Sequence, residues 1–305
     1  AQPTSSIDMS VLTLRAASKP QTASVPVASL GQQVLYRFMR HRLAPLACLI
    51  LVILTLGSIL LPSIFPEAVT RQNLSRALEP PSSSHLLGTD ELGRDLLLRI
   101  AAGGRVSLLI AFLAMAVAVS FGTLVGAVAG YVSGRVDQVL MRLTDLALSF
   151  PSLLLLILVA QILGTSLGAI VIAIGSLRWM TTARVVRATF LTEKELEYVE
   201  AARAVGARTG RIMLRHILPN AIGPLIVTAT LGVGAAIVTE STLSYLGLGV
   251  QPPTPTWGNL LRGAQDQLFV APWLALFPGA IIFLVVLSIN TIGDALRDAT
   301  APTKN

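Results

Sequence analysis

Six long apolar stretches, separated by shorter polar ones, dominate the chain. They fall near 43–65, 106–131, 140–163, 166–190, 221–245 and 272–292, and each approaches or exceeds the 20 or so helical residues that cross a hydrocarbon layer of roughly 30 Å. Backbone amides in lipid find no water, so helices are the expected form, giving an all-α membrane protein with six transmembrane helices. Arg178 interrupts the fourth stretch, which makes it the weakest. Residues 1–35 read as a disordered tail, because their first thirty positions are rich in Ser, Ala, Thr, Pro and Val and lack an apolar signal segment. A membrane domain over 36–300 and a short tail over 301–305 complete the expected division.

One polar interruption differs from the others. Residues 192–219 form a charged, helix-forming island between the fourth and fifth stretches. From Glu193 to Gly206 most residues favour helix, and Leu196, Val199, Ala202 and Val205 recur on one face. Small side chains at Ala201, Ala202 and Ala204 allow a partner to approach closely, and Glu197 and Glu200 offer acceptors for charge-assisted hydrogen bonds. Gly206 is suited to ending the helix, and Pro219 is expected to prevent simple continuation into the fifth span. A plain solvated amphipathic loop is the alternative reading of these residues.

Composition agrees with the hydrophobic pattern. Of the 305 residues 53% are hydrophobic and 13% charged, whereas soluble domains carry about 25% charged residues. The net charge of +7 is best read by position, which removes nucleic acid as the expected partner. With the N-terminus inside, the inner segments hold sixteen Lys and Arg and the outer ones six (Arg71, Arg76, Arg94, Arg99, Arg105 and Arg262). That asymmetry predicts both termini, and the 192–219 island, on the cytoplasmic side.

Catalytic chemistry is poorly supported. The chain has no GxxxxGK[ST] phosphate loop and no zinc, dinucleotide or nucleophile-elbow signature, so no catalytic residue and no cofactor is expected in it. Cys48 is the lone cysteine, and His41, His85 and His216 lack metal-ligand spacing, so no metal site is expected. Gly122, Gly126 and Gly130 form a GxxxGxxxG ridge suited to close helix packing, with a moving interface as the sharper alternative. Pro151, Pro224 and Pro278 mark places where spans kink or end. Asp145, Arg178 and Glu240 are ionisable residues within spans, hence candidates for a translocation pathway. Glu240 is the strongest, as a carboxylate expected to line its outer part.

Glu197 to Gly206 followed by Leu218-Pro219 resembles the EAA coupling loop of bacterial ABC-importer permeases. His85 to Asp95 is similar to the LGTDxxGRD signature of dipeptide, oligopeptide and nickel importer permeases, and Leu246 to Gly258 to their LGLGxQPPxPxWG stretch. Gly293 to Asp298 resembles their GDxLRD ending. One departure is His216, where the general coupling-loop pattern has Ile. The resemblance implies a type I ABC importer permease fold in the bacterial inner membrane, working by alternating access. It implies a homologous second permease subunit, two cytoplasmic ATPase subunits that bind ATP and Mg, and an extracytoplasmic substrate-binding protein. Glu197, Glu200, Ala201, Ala202, Gly206, Leu218 and Pro219 would couple to the ATPases. Gly88, Thr89, Asp90, Gly93, Arg94, Asp95, Trp257 and Gly258 would form the outer-loop family motif. The implied cargo is a di- or oligopeptide, with nickel, metal chelates or glutathione as the alternative. A secondary transporter is the competing class, but it would leave the charged island unexplained.

Overall fold

A computed structural model describes residues 30–300. The expectations for tails over 1–29 and 301–305 lie outside the described residues. Within them the chain is helical, with one isolated β-bridge between Thr89 and Asp95. Five helical runs are long and apolar enough to cross a bilayer: Ala44–Ile64 (α2), Leu96–Val132 (α4), Leu167–Glu193 (α7), Thr209–Tyr245 and Trp273–Thr300 (α12). A sixth crossing requires Gly134–Ser149 (α5) and Ser152–Leu163 (α6) to be taken together, and these meet at a bend of 94°.

That bend falls inside the third span expected near 140–163, at Pro151, one of the prolines expected to kink or end a span. Pro151 lacks an amide proton and disfavours helical geometry at Phe150, which is extended with ψ 143°. The polar residues of α5 and the apolar run of α6 therefore point along different axes. The second span is also longer than expected, reaching back from 106 to Leu96. Arg99 and Arg105 argue against lipid in that first part, but a helix of about 55 Å has room to continue beyond the bilayer. Residues 30–40 form a further helix, Leu30–Arg40 (α1), which straddles the boundary expected between the 1–35 tail and the membrane domain, and a short helix, Pro66–Thr70 (α3), follows α2. In α1 the exposed Tyr36 and Met39 beside Arg37 and Arg40 are the signature of a helix lying along a membrane surface.

Helices α4 and α7 form the most extensive contact, and glycine is the reason they come so close. A Cβ on Gly126 would sit 2.4 Å from the Ala183 carbonyl oxygen, and one on Gly122 would be 2.6 Å from that of Trp179. The ridge read from the sequence thus faces α7. Around this pair the bundle divides into two apolar cores. One lies toward the start of α4, around Leu96, Ile110, Ile174, Ile237 and Trp257; the other gathers Phe190, Val199, Ile212 and Ile217 near its end. Outward-facing surfaces of α2 and α6 expose Leu49, Ile53, Leu56, Leu154, Leu158 and Ile162. A patch of that extent is untenable in water and is the surface a bilayer covers.

Candidate functional site

The 192–219 island folds into two pieces rather than one lever. Helix α7 ends at Glu193, and a short break precedes Glu197–Ala204 (α8). Val199 and Ala202 are buried, forming a keel against Phe190, Ile212 and Ile217. Glu197, Glu200, Ala201, Arg203 and Ala204 are exposed. Val205 does not join the buried face as its spacing predicted; it is 85% exposed. The reason is local: α8 stops at Ala204, and Gly206 turns the chain with φ +80°, a conformation that favours glycine.

Polar contacts fix α8 to its neighbours. The Tyr198 hydroxyl donates to Glu193 Oε2 at 2.6 Å and accepts from Asn220 Nδ2 at 3.0 Å, while Asn220 also donates to Glu193 at 2.8 Å. Burial and the bond to Glu193 hold the Tyr198 phenol above its usual pKa range, so it stays a neutral donor. Lys194 Nζ donates to Ser133 Oγ at 2.5 Å, and the Arg203 guanidinium lies 5.7 Å from the centre of the Tyr131 ring. Rotation of α8 would therefore act on the ends of α4, α7 and the fifth span together. Glu193, Tyr198 and Asn220 were not singled out from sequence, because their contact depends on folding across the break.

Pro219 does not end the helix as expected. Thr209–Arg211 (α9) leads into a π-helical stretch, Ile212–Ile217, and then into Leu218–Tyr245 (α10). The Leu218 amide donates to Met213 five residues back; this widened turn is where the chain accommodates a proline. Leu218 is half-buried and Pro219 exposed, beside the same junction.

The intramembrane charges separate. Asp145 is exposed and pairs with Arg184. Arg178 donates through Nη2 to the Ala235 carbonyl at 3.1 Å and to Thr239 Oγ1 at 3.0 Å, and it borders a cavity of about 370 Å³ between α6, α7 and α10. Glu240 has no exposed surface, contrary to the expectation that it lines the outer passage. Its carboxylate accepts from Ser107 Oγ at 2.9 Å and Ser244 Oγ at 2.7 Å. The Trp257 amide donates to Ser107 Oγ in turn, at 3.2 Å. Glu240 is thus a buried strut beneath the segment that carries Trp257. Among the described residues no ion pair joins it to Arg178.

The motif around Gly88 to Asp95 is a folded clasp. Asp90 Oδ1 accepts from the amides of Leu92 and Arg94 at 3.0 and 2.9 Å, and Oδ2 accepts from Arg94 Nε at 2.7 Å. Thr89 is fully buried and accepts from the Glu79 amide. Asp95 caps α4 through the Leu98 amide and meets His85 Nδ1 at 2.9 Å. Gly88 and Gly93 both have positive φ, and a Cβ on Gly93 would fall 1.8 Å from the Asn73 carbonyl oxygen. Opposite the clasp, Thr256 and Asn259 cap Trp257–Gly263 (α11) reciprocally. Trp257 is 1% exposed and its indole donates to the Ile100 carbonyl at 3.1 Å, so it is a core anchor. Gly258 lets α11 approach α10: a Cβ there would be 2.5 Å from the Ser241 carbonyl oxygen.

A polytopic helical bundle with an apolar belt, a clasp at one end and a polar α8 appendage at the other defines a membrane permease. Residues 122–304 match the family described as binding-protein-dependent transport system inner membrane component, and residues 29–81 match the N-terminal transmembrane domain of oligopeptide transport permease C. The chain belongs to this family of inner-membrane transport components, whose fold is that of type I ABC permeases. It is 40% identical over 285 residues to the dipeptide transport system permease protein DppC of Alkalihalophilus pseudofirmus, covering 93% of this chain and 94% of that one. Identity to the oligopeptide transport system permease protein OppC of Bacillus subtilis is 39% over 274 residues, 90% of each chain. Identity to the glutathione transport system permease protein GsiD of Pectobacterium atrosepticum is 39% over 267 residues, 87% of this chain and 89% of that one.

Proposed function

We propose that this chain is the translocation subunit of an ATP-driven importer that moves di- or oligopeptides into the cytoplasm by alternating access. The observation that carries the coupling is α8: an exposed face of Glu197, Glu200, Ala201 and Val205 mounted on the buried keel of Val199 and Ala202. Such a face suits a separate ATPase subunit, which would bind ATP and Mg and bias two arrangements of the helix ends. Gly206 turns the chain out of α8 and Leu218 and Pro219 stand where α10 begins, so in this reading a push on α8 is delivered to α7 and α10. Two such ATPases, a homologous second permease and an extracytoplasmic binding protein complete the assembly in this reading. With α5 and α6 taken as one broken crossing, the helices make six passes and leave both termini cytoplasmic, in keeping with the charge distribution.

The peptide cargo is supported by the names of the relatives. A glutathione cargo is the second reading, favoured by the relative that transports it. Uptake of labelled dipeptide, oligopeptide and glutathione into proteoliposomes carrying the reconstituted importer distinguishes them. ATP-dependent accumulation of peptides, abolished by Glu200→Lys together with loss of stimulated ATP hydrolysis, is expected. Uptake undisturbed by Glu200→Lys would remove the coupling role of α8, and uptake of glutathione alone would replace the cargo.

A further inference from the structure

Between the clasp and the 250–264 segment lies a cavity of about 510 Å³, within the usual range for small-molecule sites. Six charged residues border it: Asp90, Glu91, Arg94, Arg99, Arg262 and Asp266. They divide into a deep set and a rim. In the deep set, Asp90 is engaged by two backbone amides and by Arg94. Arg99 is different. It is 6% exposed, its Nε has no hydrogen-bond partner among the described residues, and the Asp90 oxygen is 3.7 Å away. One carboxylate thus serves two guanidiniums, and the deep wall keeps a positive charge. Buried polar groups are almost always bonded, so a guanidinium with an unpartnered nitrogen beside a cavity calls for an acceptor from within it. Glu91, Asp266 and Arg262 are exposed at the rim, two carboxylates against one guanidinium. The cavity therefore favours an anion in its depth and a cation at its mouth.

We infer that this cavity binds a short zwitterionic peptide, with the C-terminal carboxylate on Arg99 and the ammonium group toward Glu91 and Asp266. The inference rests on the peptide reading above and deepens it by giving this subunit its own substrate contact, at the end of α4 remote from α8. Planar guanidinium meets carboxylate in a bidentate, charge-assisted arrangement. An amide at the same place loses the charge and one acceptor.

Binding of labelled dialanine to the complete permease–ATPase complex in nanodiscs, with the binding protein left out, tests this directly. Saturable binding is expected, weakened about tenfold to a hundredfold by C-terminal amidation and by Arg99→Gln. Because Arg99 is buried, its replacement endangers folding, so Glu91→Gln with Asp266→Asn supplies a rim variant. That pair should weaken dialanine several-fold and leave N-acetyl-dialanine unaffected. Equal binding of dialanine and its amide, or no saturable binding, overturns the subsite. Dialanine uptake by the importer with its binding protein present shows whether the peptide reading survives that failure; a complex that neither binds nor transports peptides loses both. If Arg99→Gln loosens the binding protein while dialanine binding is unchanged, the carboxylate belongs to a protein side chain and the subsite is likewise overturned.

Discussion

Glu240 and Trp257 have the clearest roles of any single residues. Two serine hydroxyls donate to the Glu240 carboxylate, and Trp257 rests on one of those serines, Ser107, and on the Ile100 carbonyl. Glu240→Gln keeps an acceptor for one serine and offers the other an amide, so the strut survives. Glu240→Ala leaves both hydroxyls without their buried acceptor, at about 1–3 kcal/mol each. Trp257→Ala empties an enclosed site at a cost of about 3–5 kcal/mol. Thermal unfolding of the purified protein should therefore place wild type first, Glu240→Gln close below it, and both Glu240→Ala and Trp257→Ala well below these, with uptake by Glu240→Gln near normal. Lost uptake at unchanged stability in Glu240→Gln would instead place this carboxylate in the passage.

At the scale of elements, the α4–α7 pair is held by surfaces that only glycine allows to meet. Gly126→Val would press a branched side chain onto the Ala183 backbone, which cannot yield as a side-chain tip would. We expect a loss of about 1–3 kcal/mol or more, visible as a lower unfolding temperature, while Gly210→Val, with open space around it, changes little. Unchanged stability in Gly126→Val would mean the two helices are free to separate. This ridge was legible in the sequence because a four-residue glycine spacing has one geometric meaning on a helix. The apolar cores of the spans were legible for the same reason, to within a few residues for α2, α7, α10 and the start of α12. Other elements were hidden. Pro151 signalled a break, but not its size of 94°, because the stretch's summed hydropathy suffices for one span. Helix α1 is too short and basic to register as apolar. The π-helical turn before Pro219 has no sequence code of its own. Among candidate site residues, the exposed glutamates of α8 were readable, but Val205 was not, since periodicity cannot say where a helix stops. Arg99 carried a faint signal, a charge among apolar residues at the start of a span, and only the fold brings it to a cavity.

Across the whole molecule, the outer clasp and α8 lie at opposite ends of α4, linked by the α4–α7 contact and by α10. In the proposed reading, cargo contact and energy input are thereby separated along the membrane normal, and a bundle with a glycine-lined interface is suited to transmit motion between them. The most direct test places a photo-crosslinking amino acid at Val205, which is 85% exposed on the α8 side, and in a parallel variant at Ser83, exposed on the clasp side. Illumination of membranes containing the assembled importer should yield an ATPase adduct from position 205 and none from position 83. An ATPase adduct from position 83, or none from position 205 in an importer that still transports, would contradict the account.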